Sequence, residues 1–489
     1  MRESLFHLAD DPRTSIQSRI REMLVSAILD GQLAGGEALP SSRRMAKVLG
    51  VSRNTVVLAY QELVADGFLV ARERSGIYVN DEIDTQRMPS ADSDGERIKS
   101  APDWATRFRV RPGQLESFEK PIDWPSYPYP FIYGQVDQTL FPITAWRECN
   151  RQALGRKWMD AWTRDAYSRD DDMLVDQIRS RILPRRGIHA SPDEILITLG
   201  AQNALYLIAS QLITPDHRVA LEDPGYPDVR HIFMLRTDRL DFIPVDDAGL
   251  PVDDRLAPCD YLYVTPSHQF PTTSTLPMER RQALLARAVD DDFVILEDDY
   301  EFETNYLSAP TPALKSLDRN DRVIYIGSLS KTLFPGLRLG FMVGPKDMIR
   351  EARALRRLML RHPPTNNQRT AALFLSLGHH DALIHRLNRA YKERWQRMGE
   401  ALGRHLPDAA RPPSFGGTSF WVRGPDGLDS DVLTARAREE GVLIEPGRLM
   451  FAGDEPPRNF FRLGFSSIDV ERIEPGIEII AGLIKELSR

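Results

Sequence analysis

A polar stretch without apolar periodicity divides this chain of 489 residues into two unequal parts. Residues 81–100 are polar and acidic, and six prolines stiffen the next stretch between residues 102 and 130, so we predict a linker over residues 81–122. A chain of this length is too long to fold around one hydrophobic core. The sequence therefore predicts a small domain over residues 1–80 and a large domain over residues 123–489.

The composition argues against a secreted or a membrane protein. Two cysteines, Cys149 and Cys259, are too few for a disulfide framework, and no signal peptide begins at Met1, so we expect a cytoplasmic protein. The run 195–213 carries no charge, but three side-chain amides interrupt it. It therefore predicts a buried strand turning into a buried helix, with no membrane span.

The first domain begins with the pattern of three helices. Apolar residues at helical spacing predict a helix over residues 15–30, and Ser41 or Ser42 is placed to cap a second one. Ser52 is placed to cap a third helix over residues 53–65, which an Asp-Gly pair ends. A short turn between the second and third helices predicts a helix-turn-helix.

Two β-prone runs, 68–71 and 76–79, come after the helices and predict a hairpin, which completes a winged helix-turn-helix. The segments Leu39-Pro40-Ser41-Ser42-Arg43 and Val51-Ser52-Arg53-Asn54-Thr55-Val56 closely resemble the GntR-type DNA-binding domain. Residues 41–79 carry six basic and three acidic side chains, whereas the whole chain has a net charge of −7. We therefore expect a local contact with double-stranded DNA.

The start of the third helix carries the residues expected to meet DNA. Recognition helices present their N-terminal residues to the major groove, where Arg53 suits guanine and Asn54 suits adenine. Ser52 and Thr55 are expected on phosphates, and the wing-tip arginines on the backbone or the minor groove. The predicted DNA-binding residues are Arg43, Arg44, Ser52, Arg53, Asn54, Thr55, Arg72 and Arg74.

One lysine segment of the large domain predicts cofactor chemistry. Lys331 lies in Ser328-Leu329-Ser330-Lys331, and Arg338 follows seven positions later. A buried lysine with a lowered pKa forms a Schiff base with an aldehyde, while Ser328 and Arg338 offer a hydroxyl and a guanidinium to a phosphate. Residues 325–340 resemble the lysine segment of fold-type I pyridoxal 5'-phosphate (PLP) enzymes, the aspartate aminotransferase superfamily. Lys331 is the predicted catalytic residue, and no metal site is predicted.

Further residues are expected to contact the phosphate and the ring of this cofactor. Gly200-Ala201-Gln202 joins a predicted strand to a helix N-terminus, which suits a phosphate, although an ordinary β–α turn has the same pattern. Tyr226 comes after a predicted turn, and its ring suits stacking on a pyridine, although a packed core tyrosine is the alternative.

A buried acidic strand end and a distant arginine complete the predicted site. Asp298, with Asp299 as its rival, is expected to hold the protonated pyridine nitrogen, and Tyr300 is expected near the phenolic oxygen. Arg462, in apolar surroundings, is a candidate for binding the acidic group of a substrate or effector. A structural ion pair is the alternative for Arg462.

Two segments depart from the aminotransferase pattern. Residues 265–273 stand in place of the Asn-Pro-x-Asn-Pro-Thr-Gly loop, but both asparagines are missing and Thr273 replaces the glycine. His268 or Gln269 is expected to supply the hydrogen bond that is lost. Tyr167 stands in a changed Tyr-Gly-Asp-Pro stretch, and the resemblance implies that it reaches the phosphate of a neighbouring subunit.

The two domains together resemble the MocR/GabR-type transcription regulators along nearly the whole chain. That resemblance implies a multidomain fold: an α+β winged helix-turn-helix followed by an α/β domain of the fold-type I, aspartate aminotransferase class. It also implies a homodimer, an operator with two half-sites, and PLP on Lys331 as part of a sensor. A primary-amine effector is expected to displace Lys331 as an external aldimine, with Arg462 holding its acidic end.

The effector class and a rival function stay open at this stage. Within that family, the segment Glu297-Asp298-Asp299-Tyr300-Glu301-Phe302-Glu303-Thr304 resembles the taurine- or ectoine-type regulators. The alternative function is a working PLP-dependent aminotransferase that carries a DNA-binding module, because Lys331 is also the base of a transamination half-reaction.

Overall fold

The computed structural model describes residues 6–11, 14–73, 75–83, 102–118, 120–307, 311–407, 409 and 416–488. Contacts between backbone positions divide the chain into two compact units, Met1–Arg107 and Phe108–Arg489. The predicted linker over residues 81–122 therefore contributes to both units. Within the described part of the chain, we find no helix with the length and apolar character that a membrane crossing requires.

The N-terminal unit is a winged helix-turn-helix, as predicted. Its elements are α1 (Ile16–Leu29), α2 (Ser42–Leu49), α3 (Arg53–Ala65), β1 (Leu69–Arg72) and β2 (Gly76–Val79). Ser15, Ser41 and Ser52 cap the three helices, each accepting a hydrogen bond from a backbone N–H of the first turn. Gly50 ends α2 in the left-handed region at φ 65°, where glycine carries no steric cost.

The large unit alternates strands and helices before it ends in a helical region with a small sheet. Its helices are α4 (Ile143–Ala153), α5 (Met159–Thr163), α6 (Asp172–Gln177), α7 (Ala201–Leu212), α8 (Pro227–Met234), α9 (Met278–Asp290), α10 (Leu314–Leu317), α11 (Lys346–Leu360), α12 (Thr365–Ser376), α13 (His379–His405), α14 (Ser430–Glu439) and α15 (Val470–Leu487). Its strands are β3 (Tyr129–Pro130), β4 (Ile195–Thr198), β5 (Val219–Asp223), β6 (Leu240–Pro244), β7 (Tyr261–Val264), β8 (Val294–Asp299), β9 (Val323–Ser328), β10 (Gly340–Val343), β11 (Ser419–Arg423), β12 (Val442–Leu443), β13 (Glu445–Pro446) and β14 (Phe460–Gly464).

The main sheet has the order β4–β10–β9–β8–β7–β5–β6, and among its described strands β10 alone runs against the others. Neighbouring residues of β4 are buried in different clusters: Leu196 with Leu205 of α7, and Ile197 with Phe374 of α12. Helices thus cover both faces, which explains why the strands are almost continuously apolar. The predicted α/β domain is confirmed.

Because of this topology, several separate segments of the sequence end at the same edge of the main sheet. The carboxyl ends of β5, β7, β8 and β9 meet there, together with the start of α7 and the residues just before β10. Strand β14, which carries Arg462, belongs to a separate antiparallel sheet of order β11–β14–β13.

Candidate cofactor cavity and nucleic-acid interface

The first turn of α3 presents a polar, solvent-exposed surface. Ser52, Arg53 and Asn54 are exposed, and Arg53 Nε donates to Ser42 Oγ on α2 at 3.4 Å. Ser52 Oγ accepts from the backbone N–H of Thr55 at 3.2 Å and shares a hydrogen bond with the Thr55 hydroxyl at 2.8 Å. Ser52 therefore caps the helix, and Arg53 and Asn54 are left to face a ligand.

Basic side chains flank this surface on α2 and on the wing. Arg43 and Arg44 are exposed on α2. Arg72 lies 4.4 Å from the centre of the Tyr78 ring and pairs with Asp81 at 3.2 Å. Because both partners of that pair are exposed, a phosphate can replace Asp81 at small cost. Arg74 lies outside the described residues, so its predicted role stays a prediction.

A cavity of about 300 Å³ opens at the carboxyl edge of the main sheet. Nine of the residues predicted from sequence line it: Ala201, Gln202, Tyr226, Asp298, Tyr300, Ser328, Lys331, Arg338 and Arg462. They come from five separate stretches of sequence, so the fold itself assembles the predicted site.

Lys331 follows β9 and points into this cavity, with Nζ 4.1 Å from the centre of the Tyr133 ring. Burial lowers the pKa of Lys331 to about 8; the cations of Lys120 and Arg462 act in the same direction, and Glu301 opposes them. Roughly a tenth of the amine is therefore unprotonated at about pH 7, far more than for an ordinary lysine, and a nucleophile for an aldehyde requires this neutral form.

One end of the cavity is built to hold an anion. Arg338 Nη2 donates to the Leu199 carbonyl at 2.9 Å, and Ser328 lies on the same wall. A Cβ added to Gly200 would come within 3.1 Å of Arg338 Nη2, so glycine is what allows the guanidinium to approach the start of α7. Helix N-terminal amides and an arginine together make a phosphate site.

The opposite wall presents a buried carboxylate. Tyr263 donates to Asp298 Oδ2 at 2.9 Å, while Asp298 Oδ1 has no partner among the described residues. Burial raises the pKa of Asp298 to about 7, although the Tyr263 hydroxyl opposes this. Its neighbour Asp299 does not line the cavity and instead pairs with Arg186 at 2.7 Å. Asp298 therefore lines the cavity and is placed to contact a ligand there, whereas Asp299 is not.

Arg462 combines both of its predicted alternatives. It lines the cavity and also forms a buried ion pair with Glu445, with Nη2 2.6 Å and Nε 2.8 Å from Oε2. Its guanidinium carbon lies 4.1 Å from the centre of the Tyr133 ring, the ring that Lys331 also contacts. An incoming anion would therefore meet an arginine already held in place.

The structure differs from the sequence-based prediction in the loop over residues 265–273. His268 is buried but does not line the cavity, and its carbonyl accepts from the Tyr300 hydroxyl at 2.8 Å. Gln269 donates to the Pro224 carbonyl at 2.8 Å, so it too faces elsewhere. Phe270 lines the cavity instead. Thr273 has φ 63°, a left-handed conformation that suits the glycine of the aminotransferase loop better than a β-branched residue.

Tyr167 lies away from the cavity of its own chain. Its side chain is 44% exposed and stacks against Arg361 at 5.1 Å. The prediction for Tyr167 concerns the phosphate of a neighbouring subunit and stays a prediction.

Comparisons with known proteins find matches for both parts of the chain. The chain matches the bacterial regulatory proteins of the gntR family over residues 16–79, and class I and II aminotransferases over residues 139–480. The transcriptional regulator TauR of Rhodobacter capsulatus is 46% identical, covering 98% of this chain and 99% of that protein. The probable rhizopine catabolism regulatory protein MocR of Rhizobium meliloti is 29% identical, with 96% and 93% covered. The chain belongs to the MocR-type transcription regulators.

The large unit of this regulator has the fold of solved aminotransferase structures. Kynurenine aminotransferase of Pyrococcus horikoshii superposes with a TM-score of 0.71 at 29% identity, covering 78% of this chain and 98% of that one. The α-aminoadipate aminotransferase LysN of Thermus thermophilus gives 0.72 at 29%, with 79% and 99% covered. The regulator therefore binds DNA through a GntR domain and carries PLP in an aminotransferase-like domain.

The residues of the cavity fit PLP. The unpartnered Asp298 Oδ1 suits a protonated pyridine nitrogen, and the anion site at Gly200 and Arg338 suits the phosphate. Sequence reasoning missed Lys120, Tyr133, Gly134, Tyr263 and Glu445, which also line the cavity. No local signal marks them, since each is a common residue type in a segment without a motif.

Proposed function

We propose that this regulator senses a small primary amine with an anionic end, and that binding of this effector changes its affinity for operator DNA. The proposal rests on the positions of Lys331 and Arg462. Lys331 Nζ and the guanidinium carbon of Arg462 each lie 4.1 Å from the centre of the Tyr133 ring. An amine-reactive position and a guanidinium for an anion thus lie in one small cavity.

Each residue of the cavity has its own role in binding PLP and the effector. When bound, PLP supplies an aldehyde carbon that condenses reversibly with primary amines. With PLP bound, Lys331 Nζ would hold that carbon while no effector is present, and Asp298 Oδ1 would accept a hydrogen bond from the pyridinium nitrogen. Tyr226 would cover the ring, and Arg338 with the start of α7 would hold the phosphate. Arg462 would orient the effector's anion. The switch requires in addition that the effector bind two conformations of the domain with different affinity.

The regulator acts in this proposal as a cytoplasmic homodimer on two operator half-sites. The α3 helix of each subunit then contacts one half-site, and the distance between the two helices sets the spacing of the half-sites. Tyr167 reaches the partner's phosphate. Taurine is the first effector to test, because the segment over residues 297–304 resembles taurine- or ectoine-type regulators and the Rhodobacter capsulatus relative is named TauR.

A visible-absorbance titration of the PLP-loaded protein with a panel of primary amines tests the proposal. We expect one amine to shift the cofactor band and the shifted band to persist, with a change in operator affinity at the same concentration. A band that decays to the amino form of the cofactor and recovers on adding a keto acid would identify the alternative, an aminotransferase. That alternative is less supported, because the full-length relatives are named as regulators.

The recognition helix supplies a separate prediction. Replacing Arg53 by alanine is expected to weaken operator binding by roughly tenfold to a hundredfold, since a bidentate arginine–guanine contact contributes about 1–3 kcal/mol. Fluorescence anisotropy at a fixed salt concentration, on an operator selected from random duplexes, measures the effect. Arg21→Ala is the matched control, because Arg21 lies on α1 and pairs with Asp66 at 2.8 Å. Equal losses in both variants would contradict a base contact by Arg53.

A further inference from the structure

Lys120 places a second cation at the Arg462 end of the cavity. It belongs to the stretch that the sequence predicts as linker, yet its side chain is only 29% exposed and lines the cavity. Lys120 Nζ donates to the Tyr133 carbonyl and lies 3.2 Å from Glu445 Oε1. Lys120 is thus held against the site by two buried groups.

Glu445 is shared between two cations. Arg462 occupies its Oε2, whereas Oε1 meets Lys120 and also accepts from the backbone N–H of Tyr133 at 3.2 Å. Burial alone would raise the pKa of Glu445, but Arg462 and Lys120 lower it to about 2. Glu445 is therefore ionised, and Lys120 and Arg462 share its one negative charge. Glu301 is a further buried carboxyl that interacts with Arg462, and burial raises its pKa. The surplus positive charge is costly in a buried setting unless an anion balances it.

The spacing of the two lysines limits the size of such an anion-bearing ligand. A Cβ on Gly134 would lie 2.8 Å from Lys331 Nζ and 3.9 Å from Lys120 Nζ, so these nitrogens lie no further apart than the sum of the two distances. Lys331 Nζ marks the point where an effector's amine reacts. An effector that reaches Lys120 from this point is therefore short, with only a few bonds between its amine and its anion.

Lys120 is one of three alternate residues that hold its segment along the cavity. Glu116 pairs with Arg448 at 2.8 Å, and Phe118 packs with the cluster of Tyr133 and Phe270. The contact made by Lys120 is the one that a ligand in the cavity can change.

We propose that Lys120 and Arg462 together bind the anionic end of the amine effector, whose carboxylate or sulfonate replaces Glu445 as the partner of Lys120. The inference rests on the proposed sensing function and deepens it. Effector binding then changes the contact between Lys120 and Glu445, which helps to hold the segment that carries Glu116, Phe118 and Lys120. In the sequence, this segment follows the DNA-binding unit. Neutral amines of the same length lack this contact.

Calorimetric titration of the full-length, PLP-loaded protein tests the proposal with two probes, taurine and the neutral n-propylamine. We expect Lys120→Met to weaken taurine binding by about tenfold or more, because a hydrogen-bonded charge is lost, and to weaken n-propylamine binding much less, because that probe has no anion for Lys120 to bind. Lys120→Arg keeps the cation and is expected to bind taurine within about threefold of the wild type. Unchanged melting temperatures establish that both variants are folded.

The outcomes separate the inference from the function on which it rests. Equal taurine affinity in wild type and Lys120→Met overturns the role of Lys120, while sensing at Lys331 still stands. An equal loss for taurine and n-propylamine also overturns it, since Lys120 then supports the fold of the cavity and not the anion. If neither probe binds the wild type, while PLP is retained, the proposed function itself fails and the inference falls with it.

Discussion

Replacing Lys331 by alanine is expected to abolish the amine response while operator affinity stays within about twofold of the wild type, since the two sites lie in separate units. Among the described residues that line the cavity, Lys331 and Lys120 are the lysines, and Lys120 is engaged by Glu445. Lys331 is therefore the amine available to the aldehyde. The measurement is the absorbance titration, followed by operator binding with and without the active amine.

A conservative variant serves as the control for this prediction. Lys331→Arg keeps a positive charge beside the Tyr133 ring but has no amine of lowered pKa, so we expect it to lose the response in the same way. An amine-dependent shift in operator affinity that survives in either variant would remove Lys331 from the sensing mechanism.

Replacing Asp298 by asparagine is expected to have opposite effects on cofactor binding and on the stability of the apoprotein. The folded-state pKa of Asp298 is about 7, above its ordinary value near 3.9. The unfolded chain therefore loses this proton at lower pH than the folded protein does. Stability from Asp298 is fully present below about pH 4 and is lost as the pH rises through about 7.

The asparagine variant carries no such penalty, because it does not ionise. We expect its apoprotein to be more stable than the wild type by about 2–4 kcal/mol at about pH 8, and to differ little at about pH 4. Its affinity for PLP is expected to fall by roughly tenfold to a hundredfold, because the charged partner of the pyridinium nitrogen is gone. Urea denaturation at the two pH values and a PLP titration measure both effects.

Asp299 supplies the matched control for this pair of effects. Asp299 pairs with Arg186 inside the fold, so Asp299→Asn leaves a buried arginine without its charge partner. It is expected to destabilise the protein by about 3–5 kcal/mol at about pH 8, where the Asp298 variant is stabilised. The assignment of Asp298 to the cofactor would fail if the Asp298 variant were destabilised at that pH or retained full affinity for PLP.

The sequence by itself determined the elements whose cause is local. Ser41 and Ser52 cap helices where predicted, because an N-cap depends on a serine hydroxyl and amides three residues away. The lysine segment was equally predictable from the sequence, because Lys331, Ser328 and Arg338 lie within eleven residues and line one cavity. Short separations leave the chain few ways to place such residues apart.

Only the tertiary structure decided the rest of the site. Successive strand residues point to opposite faces, so Asp298 and Asp299 were equivalent until the sheet fixed which one faces the cavity. Lys120, Glu445 and Arg462 meet although more than three hundred residues separate the first from the others. The sharing of one carboxylate by two cations is a property of packing between distant segments, and no local pattern encodes it.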